Sequence, residues 1–158
     1  MFSTLPDNAL EILDWDWPKF EPYYEQLYDR PLNSGNLSQW LEDWTKLSEL
    51  VRETSNRLYI ATSVDTTDGE AERMYESFLD NIFPESESAE QKLKTKLLQS
   101  KLQVPGFELQ LRNMQAEADL FREENLPLLT RELKLSTEYD KIAAAQTVIW
   151  DGKEVTLP

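Results

Sequence analysis

The sequence predicts an all-α fold, an antiparallel helical bundle of about five to seven helices that ends in a short β-hairpin. Three observations carry that expectation. Apolar residues recur at helical spacing along most of the chain, prolines and Asn/Asp/Ser/Thr clusters fall where such stripes start or stop, and the C-terminal residues change to β-rich runs around an Asp-Gly pair. At 158 residues one domain is expected, and a chain of this size buries about 68–70% of its unfolded surface. Its 40% apolar content is too high for a disordered chain.

The first stripe is Trp17, Phe20, Tyr23, Tyr24, Leu27 and Tyr28, with Asp16 as N-cap, Pro18 tolerated in the first turn and Pro31 as the stop. The second and firmest runs through Leu37, Trp40, Leu41, Trp44, Leu47, Val51, Leu58 and Ala61, after the Asn33-Ser34-Gly35 turn and capped by Asn36 or Ser38. A third, Ala71, Met74, Tyr75, Phe78, Leu79, Ile82 and Phe83, follows caps in Thr66-Thr67-Asp68. It is broken or kinked by Pro84, because an interior proline loses a hydrogen bond and clashes with the preceding turn. Ser86 or Ser88 then restarts a helix through Leu93, Leu97, Leu98 and Leu102, ended by the Val104-Pro105-Gly106 turn. From Asn113 to about Gln146 the pattern Met114, Ala118, Phe121, Leu129, Leu133, Tyr139 and Ile142 is helical again. One helix kinked at Pro127, or two with Asn125 capping the second, both satisfy it.

The end of the chain reads differently. Thr147 to Trp150 and Lys153 to Leu157 are β-rich runs around Asp151-Gly152, the pair that a type I′ turn favours because it needs positive φ at both central residues. An isolated hairpin is marginal in water, so this one is expected to pack on something.

The formal net charge is −14, and it is unevenly spread. Residues 63–90 carry nine acids against Arg73, whereas Lys92, Lys94, Lys96 and Lys101 follow in an acid-free stretch. Acids early and lysines late would suit a helix dipole, and a solvated face with complementary ends is the preferred explanation. An acidic balance disfavours phosphate backbones and anionic lipids, so neither nucleic acid nor membrane is an expected partner. No apolar run approaches the roughly 20 residues of a membrane span and no secretory leader is visible, which makes the cytoplasm the simplest location.

Missing residue types restrict the chemistry most. The sequence has no histidine and no cysteine, which excludes a His/Cys zinc site, a thiol nucleophile, a Ser-His-Asp triad, haem or iron–sulfur ligation and disulfides. Trp40 and Trp44, one turn apart on an apolar stripe, are expected in the core. Trp15 and Trp17, flanked by Asp14 and Asp16, are expected to pack at the bundle edge or to meet another lobe. Asp65 to Glu70 has the flavour of a calcium loop, but Gly69 stands at the fifth position instead of the sixth, and a helix N-cap is the better reading. Adjacent acids such as Glu123 with Glu124, or Glu70 with Glu72, arise by chance in a chain with 30 of them.

A longer set of signals has a family character. Trp15-x-Trp17, Pro22-Tyr23-Tyr24-x-x-Leu27, Trp40-Leu41-x-Asp43-Trp44-x-x-Leu47, Asp65-Thr66-Thr67-Asp68, Glu124-Asn125-Leu126-Pro127, Thr137-Glu138-Tyr139-Asp140-Lys141-Ile142 and Ala145-Gln146-Thr147-Val148-x-Trp150-Asp151-Gly152 keep their order over essentially the whole chain. This resembles the N-terminal lobe of bacterial oligoendopeptidases F and of thimet-oligopeptidase-like zinc metallopeptidases. The resemblance implies a mostly helical, two-lobed enzyme in which zinc, held by a His-Glu-x-x-His helix and a further Glu, hydrolyses short peptides inside a channel. None of those ligands is present here, so no catalytic or metal residue is assigned, and zinc belongs to the complete enzyme only.

On that resemblance, residues 1–146 are a helical lobe and 147–158 a hairpin leading toward a missing catalytic region. The lobe would form a wall of the substrate channel, and alone it is expected to bind peptides weakly or not at all. Its partners would be the catalytic lobe and short peptides. Trp15, Trp17, Val148, Trp150, Val155 and Leu157 are the candidate inter-lobe contacts, and exposure of Val148, Ile149, Trp150, Val155 and Leu157 as an apolar patch predicts a dimer through the hairpin. The alternative is a free-standing acidic helical interaction module.

Overall fold

A computed structural model of the chain describes residues 2–103 and 105–156. Val104 and Leu157, both named above, lie outside the described residues. Among those residues the order is two 3-10 turns, α1 (Trp17–Asp29), α2 (Leu37–Val64), α3 (Gly69–Asn81), α4 (Phe83–Ser100), α5 (Glu108–Leu120), a third 3-10 turn, α6 (Leu126–Ala144) and the strands β1 (Thr147–Trp150) and β2 (Lys153–Thr156). The expected all-α fold with a terminal hairpin is the fold observed.

The core lies among α1 to α4. Phe20, Tyr24 and Leu27 from α1, Trp40, Trp44 and Leu47 from α2, Phe78 and Leu79 from α3, and Leu93 and Leu97 from α4 are all buried. Trp40 is fully buried, and its indole Nε1 donates to the Leu27 carbonyl oxygen at 2.9 Å, which supplies the partner a buried N–H requires. The core reading of Trp40 and Trp44 therefore stands. Ala61 proves exposed, and Thr54 and Thr62 take buried places the stripe did not assign. Their hydroxyls bond the carbonyls of Leu50 and Tyr59 on the same helix, which makes burial of a polar side chain cheap. The 3-10 turns Phe2–Thr4 and Ala9–Glu11, unassigned from sequence, bring Leu5, Ala9 and Ile12 into the core.

Helix ends correct several expectations. Asp68 caps α3 as expected, accepting from the Glu70 and Ala71 amides. Asp16 and Asn36 hold the cap positions of α1 and α2 without making side-chain cap bonds; Asn36 instead donates to the Pro31 carbonyl and accepts from the Asn33 amide, tying the turn together. Pro84 does break the third stripe, but α4 restarts at Phe83, ahead of Ser86 and Ser88, because a proline fits the first turn, where its missing N–H is not needed. Ser86 is buried instead, with its hydroxyl on the Phe83 carbonyl. The stretch from Asn113 resolves as two helices. α5 starts at Glu108 and ends at Leu120, so the break precedes Asn125, and Pro127 sits in the first turn of α6.

α4 has no basic residue in its last turn: Lys92, Lys94 and Lys96 lie before it, and Lys101 is the C-cap. Lys94 pairs with Glu117 on α5 at 2.7 Å. Lys96 reaches across to the C-terminus of α1, donating to the Tyr28 carbonyl and to that of Arg30 at 2.7 Å. An ammonium there satisfies carbonyls that a helix end leaves without partners.

The hairpin has the expected turn, with Asp151 at φ 50° and Gly152 at φ 75°. Antiparallel pairing sets Trp150 against Lys153, Ile149 against Glu154 and Val148 against Val155. Every β1 residue is exposed, so the expected packing of the hairpin on something is not met within the described residues.

Candidate functional site

Trp15 and Trp17 are half-buried, each against an aromatic residue of α1. The Trp15 ring lies 5.1 Å from that of Phe20, edge-on, and 6.1 Å from Tyr23, nearly parallel. Trp17 stacks on Tyr24 with ring centroids 5.5 Å apart. Both indoles close the edge of the core with one side and keep the other toward solvent.

α6 leaves a row of large apolar side chains exposed among the described residues. Its inner side holds buried Leu126 and half-buried Leu133, fixed by ion pairs from Lys134 to Asp80 and from Lys141 to Glu72, and by the Tyr59 hydroxyl donating to Asp140 at 3.0 Å. At about 100° per residue, Leu128, Leu135, Tyr139 and Ile142 fall within about 60° of one another on the opposite side. They are 50–70% exposed. The sequence pattern had merged Leu133 with Tyr139 and Ile142 into one stripe; the structure separates them onto two faces. The second face is legible in the sequence at the 7- and 11-residue intervals from Leu128.

Two residues separate α6 from the hairpin, in which Trp150 is 70% and Ile149 71% exposed. Strand alternation and register put Val148, Trp150 and Val155 on one hairpin face and Ile149 on the other. Three of the candidate inter-lobe residues are thus grouped together, whereas Trp15 and Trp17 belong to the α1 end of the core.

Glu90, on α4, was not anticipated. Its Oε1 accepts from the Tyr24 hydroxyl at 3.0 Å and from Ser48 Oγ at 2.6 Å, while Oε2 accepts from Trp44 Nε1 at 2.6 Å. One carboxylate therefore joins α4 to α1 and α2. Burial, then the Glu90 charge, pushes the Tyr24 phenol well above its ordinary range. Burial raises the Glu87 carboxyl too, with Glu90 adding to the shift and Lys94 opposing it. Glu90 lies in the helical row of buried Ser86, Leu93 and Leu97, and an acid in such a row is the sequence signal that would have found it.

Residues 9–105 match the sequence model of the peptidase M3 N-terminal domain, well over half of the chain. The chain belongs to that family. No curated protein and no solved structure matches it. The matched part of this M3 N-terminal domain contains α1 to α4, the Glu90 junction, Trp15 and Trp17; α5, α6 and the hairpin follow it.

The M3 family implies zinc in the complete enzyme. The residues of this domain do not fit that metal, since the sequence offers neither histidine nor cysteine and no three carboxylates converge among the described residues. Asp65 accepts from the Thr67 amide and hydroxyl, and Asp68 caps α3, so the acidic loop serves the helix start. Among the described residues no helix is long and apolar enough to cross a membrane.

Proposed function

We propose that this M3 N-terminal domain is a non-catalytic wall of the peptide channel in a cytoplasmic oligoendopeptidase. On this account it docks to the zinc-bearing lobe through α6 and the hairpin, with Trp15 and Trp17 as a second contact. Residues 1–146 act as the rigid lobe and the residues from Thr147 onward as its connection to the catalytic region. The observation that carries this reading is the uncovered apolar face of α6 and β1.

Its composition suits the role. A standard interface buries roughly 800 Å² per partner, and one aromatic side chain brings about 150–250 Å². Tyr139 and Trp150, exposed beside Leu128, Leu135, Ile142 and Val148 in the same two elements, supply side chains of the kind that anchor such interfaces. In the absence of the second lobe the same face is expected to pair with a second copy.

A channel wall contributes by shape. It holds an extended peptide in reach of the metal and excludes folded proteins by size, while the metal supplies Lewis acidity and an activated water from the other lobe. The test is to mix the chain with the catalytic region of an M3-family peptidase that lacks its own N-terminal domain. Stable association and restored cleavage of short peptides are expected, with no cleavage by the chain alone. Chelator-sensitive hydrolysis by the isolated chain would overturn the proposal.

A further inference from the structure

A second surface, remote from α6 and the hairpin and sharing only Trp17 with the docking proposal, runs along α1 where it faces α4. A groove of about 360 Å³ is lined there by Trp17, Tyr24 and Tyr28 on its aromatic side and by Glu21, Glu25 and Asp29 along its acidic edge, with Lys92 and Leu93 on the α4 wall. Helical spacing explains the arrangement. Trp17, Tyr24 and Tyr28 recur at seven- and four-residue intervals on one line of α1, and the acids, four residues apart, form a rail beside it. Three carboxylates face one ammonium, so the groove is net acidic.

The C-terminal end of this line already holds a cation. Lys96 Nζ lies 5.5 Å from the Tyr28 ring centroid while it donates to the α1 carbonyls. The N-terminal end repeats the chemistry without the cation: the Trp17 ring is half-exposed, Glu21 and Glu25 are exposed, and neither acid forms an ion pair among the described residues. An aromatic face beside carboxylates attracts arginine and lysine through cation–π and charge-assisted contacts.

We infer that the α1–α4 groove is a binding site for an extended peptide segment bearing arginine or lysine, with the cationic side chain over Trp17 between Glu21 and Glu25. Lys92 on the opposite wall faces the carbonyl or carboxylate side of the same segment, which gives the peptide a direction. A groove of this size accommodates only a few residues, and its charges are solvent-exposed, so the affinity is weak and salt-sensitive.

The test uses the chain alone. A short peptide with adjacent arginines and its counterpart with adjacent glutamates are titrated while the Trp17 indole N–H resonance is followed by NMR. The arginine peptide is expected to shift that resonance and to bind about tenfold tighter than the glutamate peptide, with the difference largely lost between about 20 and 200 mM salt. E21Q/E25Q, which changes only exposed groups, should remove most of the preference, while E123Q/E124Q, equal in charge but remote, should leave it. Equal binding of both peptides, an unmoved Trp17 signal, or the same loss in both double variants would overturn the assignment. None of those results bears on whether α6 docks to a second lobe.

Discussion

Trp44 Nε1 donates to Glu90 Oε2 at 2.6 Å, linking α2 to α4 across 46 residues of sequence. Because the same carboxylate also takes the Tyr24 hydroxyl and Ser48, its removal leaves three donors without their acceptor. Glu90→Ala should cost about 2–4 kcal/mol and Glu90→Gln, which keeps one acceptor oxygen, about half as much. Urea unfolding followed by circular dichroism measures both; a loss below about 0.5 kcal/mol for the alanine variant would show that water replaces the carboxylate without penalty.

Lys96 closes the C-terminus of α1 from another helix. Lys96→Met keeps most of the apolar stem and removes the charge, so it isolates the carbonyl contacts from packing. A loss of about 1 kcal/mol, or about 2–4 °C in the thermal midpoint, is expected. Equal protection of the α1 end in hydrogen exchange of variant and wild type would contradict that role.

The pH dependence has a stated sign. The Glu87 carboxyl is raised in the folded state, chiefly by burial, so folding favours its neutral form. Its contribution to stability is present below the unfolded value and is lost as pH rises through the folded value. Glu87→Gln should therefore stabilise the protein at neutral pH, with the advantage shrinking as the solution is acidified. Unfolding midpoints measured across the carboxylate range check this, and a pH-independent difference would refute it. Asp7 behaves oppositely, since its hydrogen bond and attraction to Lys46 lower its carboxyl, but it is fully exposed.

How far the sequence disclosed this structure depended on how local the deciding physics was. The α2 stripe apart from Ala61, the Asp68 cap and the Asp151-Gly152 turn are short-range patterns, and each is found where the residues place it. The start of α4 at Phe83 was missed because serine caps and a first-turn proline compete locally, and the proline wins. Glu90 and Lys96 were illegible as partners because the groups they satisfy come from other helices. The uncovered face of α6 required assigning Leu133 and Tyr139 to opposite sides; the intervals from Leu128 separate the two faces, and only tertiary packing decides which one is covered.

Self-association follows from the same uncovered face. Sedimentation velocity at rising concentration should show dimers of the isolated chain, and Trp150→Ser combined with Tyr139→Ser should return it to monomer. Both side chains are 70% exposed, so stability should change by less than about 0.5 kcal/mol. A monomer at all concentrations, unaffected by the substitutions, would remove the dimer from the account.

The most direct measurement of the central claim is hydrogen exchange on the chain mixed with the catalytic region of an M3-family peptidase. The account predicts new protection across Leu128 to Ile142 and Thr147 to Val155, lost when Leu135 and Tyr139 are replaced by glutamate. Protection confined to other surfaces, or binding indifferent to those two substitutions, would contradict it.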